Sequence, residues 1–234
     1  MITGEHSSKQ YDLDLESIRS RVLLMGGLVE THFLDAIACL RAPNAERAEQ
    51  VMQSDVAVNQ LEVILDEACS NLIVKRQPAA NDLRAVMATI KVITDLERIG
   101  DEATKIARSA KRLIDYDNVG INSYEMLKGI AKNTSELLHD ALDAFARLDE
   151  KSAVELIGRD QVIDTEFRSL MRTLVDLMGE NPLAIPVALE TLWAVKSIER
   201  IGDHAKNIAE YVIFVVDGKD VRHTNIQQRG EQLA

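Results

Sequence analysis

A five-residue acidic motif, Glu-Arg-Ile-Gly-Asp, occurs twice in this sequence, 102 residues apart. The first copy contains Glu97 and Asp101, and the second contains Glu199 and Asp203. In each copy the two acids are four residues apart, so their side chains share one face of a helix. Apolar residues lead into each motif at helical spacing. The motif acids are therefore expected on or beside the inward face, where ionised carboxylates need compensating positive charge.

Two sources could supply that charge. Arg98 and Arg200 each follow a motif glutamate, roughly 100° further round the helix, so they could reach across to another helix. The other source is a bound metal ion, because carboxylate oxygens suit hard cations such as Mg, Mn, Ca or iron. Gly100 and Gly202 indicate the close approach of either a neighbouring helix or a ligand, since glycine is unfavourable in a helix interior.

Several further residues are supporting candidates. His204 stands where the first repeat has Glu102, so the two sites need not be equivalent. Asp140 corresponds to Asp35 at a spacing of 105, and we expect both to face the acidic helices. For a lone helical histidine such as His32, a surface or packing role is the commoner interpretation. The supporting set is Arg98, Arg200, Asp35, Asp140 and His204.

Composition restricts the class of protein. The 234 residues carry a net charge of −11, with no basic run that would bind nucleic acid or an anionic lipid surface. The start lacks the pattern of a signal peptide, and the apolar run at 212–216 is too short to span a bilayer. Cys39 and Cys69 lie within apolar helical patterns and are expected to be buried, reduced thiols. We therefore predict a cytoplasmic protein without direct membrane insertion.

Periodicity and turn signals predict six long helices and an all-α fold. With 46% hydrophobic but only 4% aromatic residues, aliphatic side chains must fill the core, as in helix bundles. The predicted helices are 14–41, 45–76, 81–115, 123–148, 150–178 and 185–216.

Internal repetition covers nearly the whole chain. Two stretches of the first half recur 105 residues later: 36–44 resembles 141–149, and 54–59 resembles 159–164. The two acidic motifs are separated by 102 residues. A single period near 103 indicates two tandem, pseudo-symmetric three-helix bundles rather than a solenoid. The predicted division is a flexible segment at 1–13, bundles at 14–116 and 117–216, and a polar tail at 217–234.

The sequence shows no catalytic constellation. It contains no nucleophile elbow, P-loop, glycine-rich dinucleotide motif or Cys-x-x-Cys pair, and we assign no catalytic residue. It also lacks the Glu-x-x-His pairs of a ferritin-like di-iron core, because His204 is five residues beyond Glu199. Three alternatives remain: a non-enzymatic adaptor, a carboxylate-bridged metal-dependent enzyme, and a structural bundle whose acids pair with arginine.

Taken together, "KRQPAANDLR" (75–84), "DLERIGDEA" (95–103) and "SIERIGDHAKNIAEY" (197–211) closely resemble the PhoU family of regulators of bacterial phosphate uptake. Further similar stretches at 22–30, 138–149 and 218–223 extend the resemblance along the chain. It implies tandem three-helix bundles, in agreement with the periodicity. It also implies metal binding at Glu97, Asp101, Glu199 and Asp203, with Fe, Mn, Mg, Zn or Ca as the possible ions.

The resemblance implies a role as well as a fold. Such a protein represses the phosphate-starvation response by linking the ATPase subunit of the phosphate ABC transporter to a membrane sensor histidine kinase. We accordingly expect a cytoplasmic protein that its partners recruit peripherally to the inner membrane. We also expect a homodimer that binds no nucleic acid.

Overall fold

Six long helices make up the part of the chain that the structure describes. The computed structural model describes residues 4–119 and 121–221, and no strand occurs among them. The helices are α1 (Gly4–Arg41), α2 (Ala45–Arg76), α3 (Asn81–Leu113), α4 (Ser123–Arg147), α5 (Glu150–Glu180) and α6 (Ile185–Asp217). Short 3₁₀ helices at Ile114–Val119 and Pro182–Ala184 lie after α3 and before α6. The predicted all-α class is confirmed.

The repeat extends to the helix caps. Asn44 and Asp149, which are 105 residues apart, are the N-caps of α2 and α5. The side chain of each accepts a hydrogen bond from the backbone N–H three residues later, which satisfies one of the free donors of the first turn. At the other end of α2, Gln77 adopts the left-handed conformation that commonly ends a helix.

Helix α1 starts at Gly4, earlier than the expected position near Asp14. Tyr11 is buried, and its hydroxyl donates a hydrogen bond to the backbone carbonyl of Asp82 at 3.2 Å. Asp14 pairs with Arg76 of α2 at 2.9 Å. These contacts attach the first helical turns to α2 and α3, so residues 4–13 are helical rather than a loose leader. Residues 1–3 lie outside the described part.

At the other end of the chain, helix α6 stops at Asp217, where Gly218 takes a positive φ of 75°. Val221 is buried. Most of the predicted polar tail, residues 222–234, falls outside the described residues.

Each group of three consecutive helices packs as a bundle, and the two bundles meet along α3 and α6. These two helices run antiparallel, because Arg112 of α3 pairs with Glu190 near the start of α6 while Lys91 lies over the ring of Tyr211 near its end. Aliphatic side chains fill the interior, with Ile93 and Ile99 fully buried. Each such side chain contributes about 1.5–3 kcal/mol on burial.

Helix α1 also passes a composition test for a membrane span. Its segment Lys9–Arg41 contains an 18-residue window with a mean hydropathy of 1.5, of which 44% is buried inside the protein. The buried face includes Val22, Met25, Val29 and Phe33. A core helix of a bundle has this same length and composition, so we regard the window as weak evidence for a span.

Candidate functional site

The duplicated acids face a neighbouring helix within each bundle. On α3, Glu97 and Asp101 lie near acids of α2, and on α6, Glu199 and Asp203 lie near acids of α5. We call Asp55, Glu62, Glu97 and Asp101 the α2–α3 cluster. We call Asp160, Asp164, Glu199 and Asp203 the α5–α6 cluster.

Carboxylates of the α2–α3 cluster repel one another. Burial raises the pKa of Glu97, and the charges of Asp101, Glu62 and Asp55 raise it further, while Arg98 opposes the rise. Burial is likewise the main cause of the raised pKa values of Asp55 and Glu62. Among the described residues, no Lys or Arg nitrogen lies within 4.0 Å of any of these four carboxylates. The cluster therefore holds negative charge that the described chain does not neutralise by direct pairing.

The α5–α6 cluster is tighter. Three carboxylate oxygens, one from each of Asp160, Asp164 and Asp203, all lie within 4.8 Å of one another. A single metal ion could bind all three at this spacing. Burial, followed by the charges of Glu199 and Asp160, raises the pKa of Asp203 to about 6.

Three basic side chains pair with this second cluster. Lys206 Nζ lies 2.8 Å from Asp160 Oδ2, and Arg168 lies 3.3 Å from an oxygen of Asp164. Lys196 pairs with Glu199, and its ammonium also lies 5.1 Å from the centroid of the Phe167 ring. The α5–α6 cluster thus carries internal positive charge that the α2–α3 cluster lacks.

Both motif glycines lie where helices approach closely. A Cβ atom on Gly100 would lie 2.8 Å from Asp55 Oδ1 and 3.3 Å from Val58. One on Gly202 would lie 3.2 Å from Ile163 and 3.7 Å from Asp160 Oδ1. The approaching element is therefore the neighbouring helix, which places its aspartate beside the motif.

The motif arginines lie apart from the acidic clusters. Arg200 reaches across to α3 and pairs with Glu102 at 2.9 Å, so it joins the two bundles. Arg98 is exposed and acts on Glu97 only through its charge.

The remaining supporting candidates also lie elsewhere. His204 is buried against α3, where Nδ1 is 2.7 Å from Asp95 Oδ1. Asp35 forms an ion pair with Arg47 of α2 at 3.1 Å, and Asp140 forms one with Arg159 of α5. Each of these two acids is therefore paired with an arginine. The structure does not bring these three residues together with the motif acids.

Sequence reasoning missed the acids on α2 and α5. The sequence did contain an indication of them, because the similarity between residues 54–59 and 159–164 aligns Asp55 with Asp160. Asp164 follows Asp160 by four residues and so shares its helix face. What the sequence could not show was that this face meets the motif face of the next helix.

The donor set fits a hard or borderline divalent cation. Each cluster offers several carboxylate oxygens, and most of these side chains are buried or half-buried, although Asp101 is exposed. Beside the first cluster, His32 is 4% exposed, and neither ring nitrogen forms a hydrogen bond of ordinary geometry with the described residues. Its Nδ1 lies 3.8 Å from Asp55 Oδ1, so a nitrogen donor is directed at the acids. Burial lowers the pKa of His32.

Comparison with known proteins agrees with the repeat. The family model described as the PhoU domain matches residues 22–110 and again residues 127–212, once in each bundle. A phosphate-specific transport system accessory protein PhoU homolog from Pseudomonas putida is 44% identical over 95% of this chain and 87% of its own length. The corresponding protein of Escherichia coli (strain K12) is 41% identical over 99% of this chain and 95% of its own length.

Solved structures show the same architecture. The crystal structure of PhoU from Pseudomonas aeruginosa superimposes with a TM-score of 0.86 at 42% identity, covering 89% of this chain and all of that one. The phosphate transport system regulatory protein PhoU from Streptococcus pneumoniae gives a TM-score of 0.84 at 27% identity, covering 90% of this chain and 99% of that one. The two matches to the family model and the identity along nearly the entire chain show that this protein belongs to the PhoU family.

Proposed function

We propose that this protein is a non-enzymatic regulator of phosphate uptake and of the phosphate-starvation response. The observation that carries the proposal is the identity of 41–44% to phosphate-specific transport system accessory proteins along nearly the whole chain. The matched span covers 95–99% of the chain and therefore both bundles, so the similarity concerns the entire molecule rather than one shared motif.

The proposed mode of action is that of an adaptor. The protein would be cytoplasmic and would contact the ATPase subunit of the phosphate ABC transporter and a sensor histidine kinase at the inner membrane. An adaptor needs exposed surfaces on separate parts of the molecule. Leu24 and Leu34 of α1 are 59% and 55% exposed, and Trp193 of α6 is 62% exposed, so each bundle offers apolar surface. We also propose a homodimer, which light scattering of the purified protein tests directly.

Metal binding is the second part of the proposal. The motif acids, together with Asp55 and Glu62 or with Asp160 and Asp164, would hold Fe, Mn, Mg, Zn or Ca. A bound cation would neutralise carboxylates that otherwise repel one another, and it would tie two helices of one bundle together. The role is structural or regulatory and requires no reaction at the metal.

A genetic experiment tests the regulatory role. In a strain lacking the gene, a phosphate-starvation reporter should be active even in phosphate-rich medium, and a plasmid copy should restore repression. Membrane association of the protein should disappear when the transporter and the kinase are both deleted. Normal repression without the protein would contradict the proposed role, and membrane association without either partner would contradict the adaptor mechanism.

A biochemical experiment separates the adaptor from the carboxylate-bridged metal-dependent enzyme. Metal-loaded protein would be assayed for turnover of phosphate esters and anhydrides, with Glu97→Ala as the control. We expect bound metal without turnover. Reproducible turnover that is lost in Glu97→Ala would favour the enzyme.

A further inference from the structure

Basic residues are concentrated on the solvent-facing side of α3, although the net charge of the chain is −11. Between residues 98 and 112 six side chains are exposed, and Asp101 is the one acid among them. Four of the five basic side chains share one face of the helix, because they follow one another at steps of seven, three and four residues. We call these four the basic row: Arg98, Lys105, Arg108 and Arg112.

The basic row is only partly neutralised. Arg108 forms no ion pair within 4.0 Å with any residue that the structure describes. Lys105 shares its partner, Glu102, with Arg200 of α6, so two cations meet one carboxylate. The side chain of Glu102 is 3% exposed, whereas those of Lys105 and Arg200 are 45% and 48% exposed. The surface therefore presents positive charge to solvent, while the compensating carboxylate is buried.

An apolar row on α6 lies beside the basic row. Ile185, Leu189 and Trp193 follow one another at steps of four residues and are 38%, 41% and 62% exposed. Ion pairs between the antiparallel helices fix the register, since position 190 lies opposite position 112 and position 200 lies opposite position 102. Trp193 is therefore next to the segment of α3 that carries most of the basic row. Contiguous exposed apolar side chains of this kind mark interaction surfaces.

The equivalent face of the other repeat lacks this combination. At the 102-residue spacing Trp193 corresponds to Lys91, which lies over the ring of Tyr211. Three positions of the basic row are uncharged or acidic in the second repeat: Lys105, Arg108 and Arg112 correspond to Asn207, Glu210 and Phe214. Both repeats contribute a helix to the same contact between the bundles, so the fold itself does not require basic residues at these positions.

We propose that this face of α3 and α6 binds an acidic protein segment with apolar side chains. Carboxylates of the segment pair with the basic row, and its apolar side chains cover Trp193 and its neighbours. The apolar row is about 12 Å long, so an amphipathic helix of about three turns covers it. Trp and Arg are the residue types that most often dominate binding energy at protein interfaces. The inference rests on the proposed adaptor function and deepens it, because it assigns a docking surface and the charge of its partner.

Charge argues against the other occupants of this face. A second copy related by a two-fold axis would oppose the basic row with itself, because such an interface uses the same surface of both subunits. Residues 222–234 of this chain contain two arginines, a histidine and a single glutamate, so they are not an acidic segment. An extended phosphate surface, of a nucleic acid or a membrane, would also meet Asp101 and the rest of the α2–α3 cluster. A short acidic segment along residues 105–112 avoids that repulsion.

Site-specific photo-crosslinking of the full-length protein in living cells tests the proposal. The photoreactive residue p-benzoylphenylalanine would replace Leu189 or, as the matched control, Met87. Met87 occupies the equivalent position of the first repeat and is 44% exposed, against 41% for Leu189. We expect the Leu189 position alone to give an adduct with a peptide of net negative charge, identified by mass spectrometry.

Charge reversal shows whether the basic row holds the partner. Arg108→Glu should lower the yield of the Leu189 adduct by at least about tenfold, because it places like charges together. Arg172→Glu, which reverses an exposed arginine of α5, is the control and should leave the yield unchanged. Circular dichroism of both purified variants should match wild type.

Trp193 provides a second measurement, because it is the only tryptophan of the chain. A synthetic copy of the crosslinked peptide, prepared without tryptophan, should shift the emission of Trp193 to shorter wavelength as the indole leaves water. Binding should weaken as salt concentration rises, since salt screens exposed charges. A copy with glutamine and asparagine in place of its acids should give no shift.

The outcomes separate this inference from the proposed function. An adduct with a second copy, a lipid or a nucleic acid, a crosslinked peptide without net negative charge, equal adducts at the two positions, or no adduct would each overturn the assignment. An unchanged yield in Arg108→Glu would do so as well. The proposed regulatory role is measured separately by the reporter strain, and it stands if deletion of the gene still abolishes repression.

Discussion

Nδ1 of His204 on α6 is hydrogen-bonded to Oδ1 of Asp95 on α3 at 2.7 Å. Both side chains are buried at the contact between the two bundles. Asn207 adds a second hydrogen bond to the same Asp95 oxygen at 3.2 Å. Within the second motif, Arg200 pairs with Glu102 of α3. Arg200 and the residues beside the motifs thus hold the two repeats together, whereas the motif acids face the neighbouring helix of their own bundle.

Replacing Asp95 should weaken the contact between the bundles. Asp95→Ala leaves His204 and Asn207 without their shared acceptor, and an unpartnered buried polar group is costly. We expect a loss of about 3 kcal/mol in the free energy of unfolding, measured with denaturant. Asp176→Ala, at an exposed position of α5, is the control and should stay within about 0.5 kcal/mol of wild type. Equal stability of the two variants would show that the pair contributes little.

Neutralising the first motif should remove metal without unfolding the protein. Glu97→Gln combined with Asp101→Asn keeps the side-chain shapes but replaces two ionised oxygens that a hard cation requires. Because no Lys or Arg nitrogen among the described residues lies within 4.0 Å of these acids, the change leaves no buried cation without a partner. Elemental analysis should show the loss of metal while circular dichroism stays unchanged.

The same double variant should be at least as stable as wild type once metal is chelated. Burial, and then the neighbouring carboxylates, raise the pKa of Glu97 in the folded protein. The ionised form is therefore less favourable in the folded state than in the unfolded state. The stability of the protein falls as the pH rises from the unfolded-state pKa of Glu97 through its folded-state pKa. An uncharged glutamine removes this effect at neutral pH. A large drop in the thermal midpoint together with unchanged metal content would instead favour the structural interpretation, in which the acids pair with arginine.

Asp203 should make the metal-free protein sensitive to mildly acidic pH. Its pKa is raised, chiefly by burial, from the model-compound value of 3.8 to about 6. Between these values the folded state holds a proton that the unfolded state has released, so stability decreases as pH rises from about 4 to about 6. With chelator present, the thermal midpoint of wild type should fall relative to that of Asp203→Asn across this window. Parallel pH profiles for the two proteins would contradict the assignment.

The two motif glycines should respond differently to alanine. Alanine gains about 1 kcal/mol of helix propensity over glycine in either helix. Gly100→Ala, however, places Cβ 2.8 Å from the Asp55 carboxylate and should be destabilising by about 1–3 kcal/mol. Gly202→Ala meets mainly the end of the Ile163 side chain at 3.2 Å, which can rotate, and should be nearly neutral.

Gly158 supplies the control for this comparison. A Cβ there meets nothing within 4 Å, so Gly158→Ala should raise the thermal midpoint through helix propensity alone. The expected order of thermal midpoints is Gly158→Ala, Gly202→Ala, Gly100→Ala, from highest to lowest. A reversed order for the two motif positions would mean that the helices separate easily at Gly100.

Much of the architecture could be predicted from local signals. The steps of three and four between apolar residues gave the helices, and the predicted start of α2 at Ala45 agrees with the structure. Boundaries failed where long-range contacts decided them. Because residues 4–13 are mostly polar, the sequence predicted a flexible segment there. In the structure, the buried Tyr11 donates a hydrogen bond to the carbonyl of Asp82 and so attaches this segment to the start of α3.

The sequence by itself determined that two similar halves exist and that each carries an acid pair on one helix face. This was possible because helical periodicity and a repeat are properties of spacing along the chain. Only the tertiary structure decided which residues complete each site. Asp55 and Asp160 meet the motif acids because α2 packs on α3 and α5 packs on α6, and Lys206 contacts Asp160 from 46 residues away in sequence. Such pairings depend on which helix faces meet, and the pattern of a single helix carries no information about its neighbour's orientation.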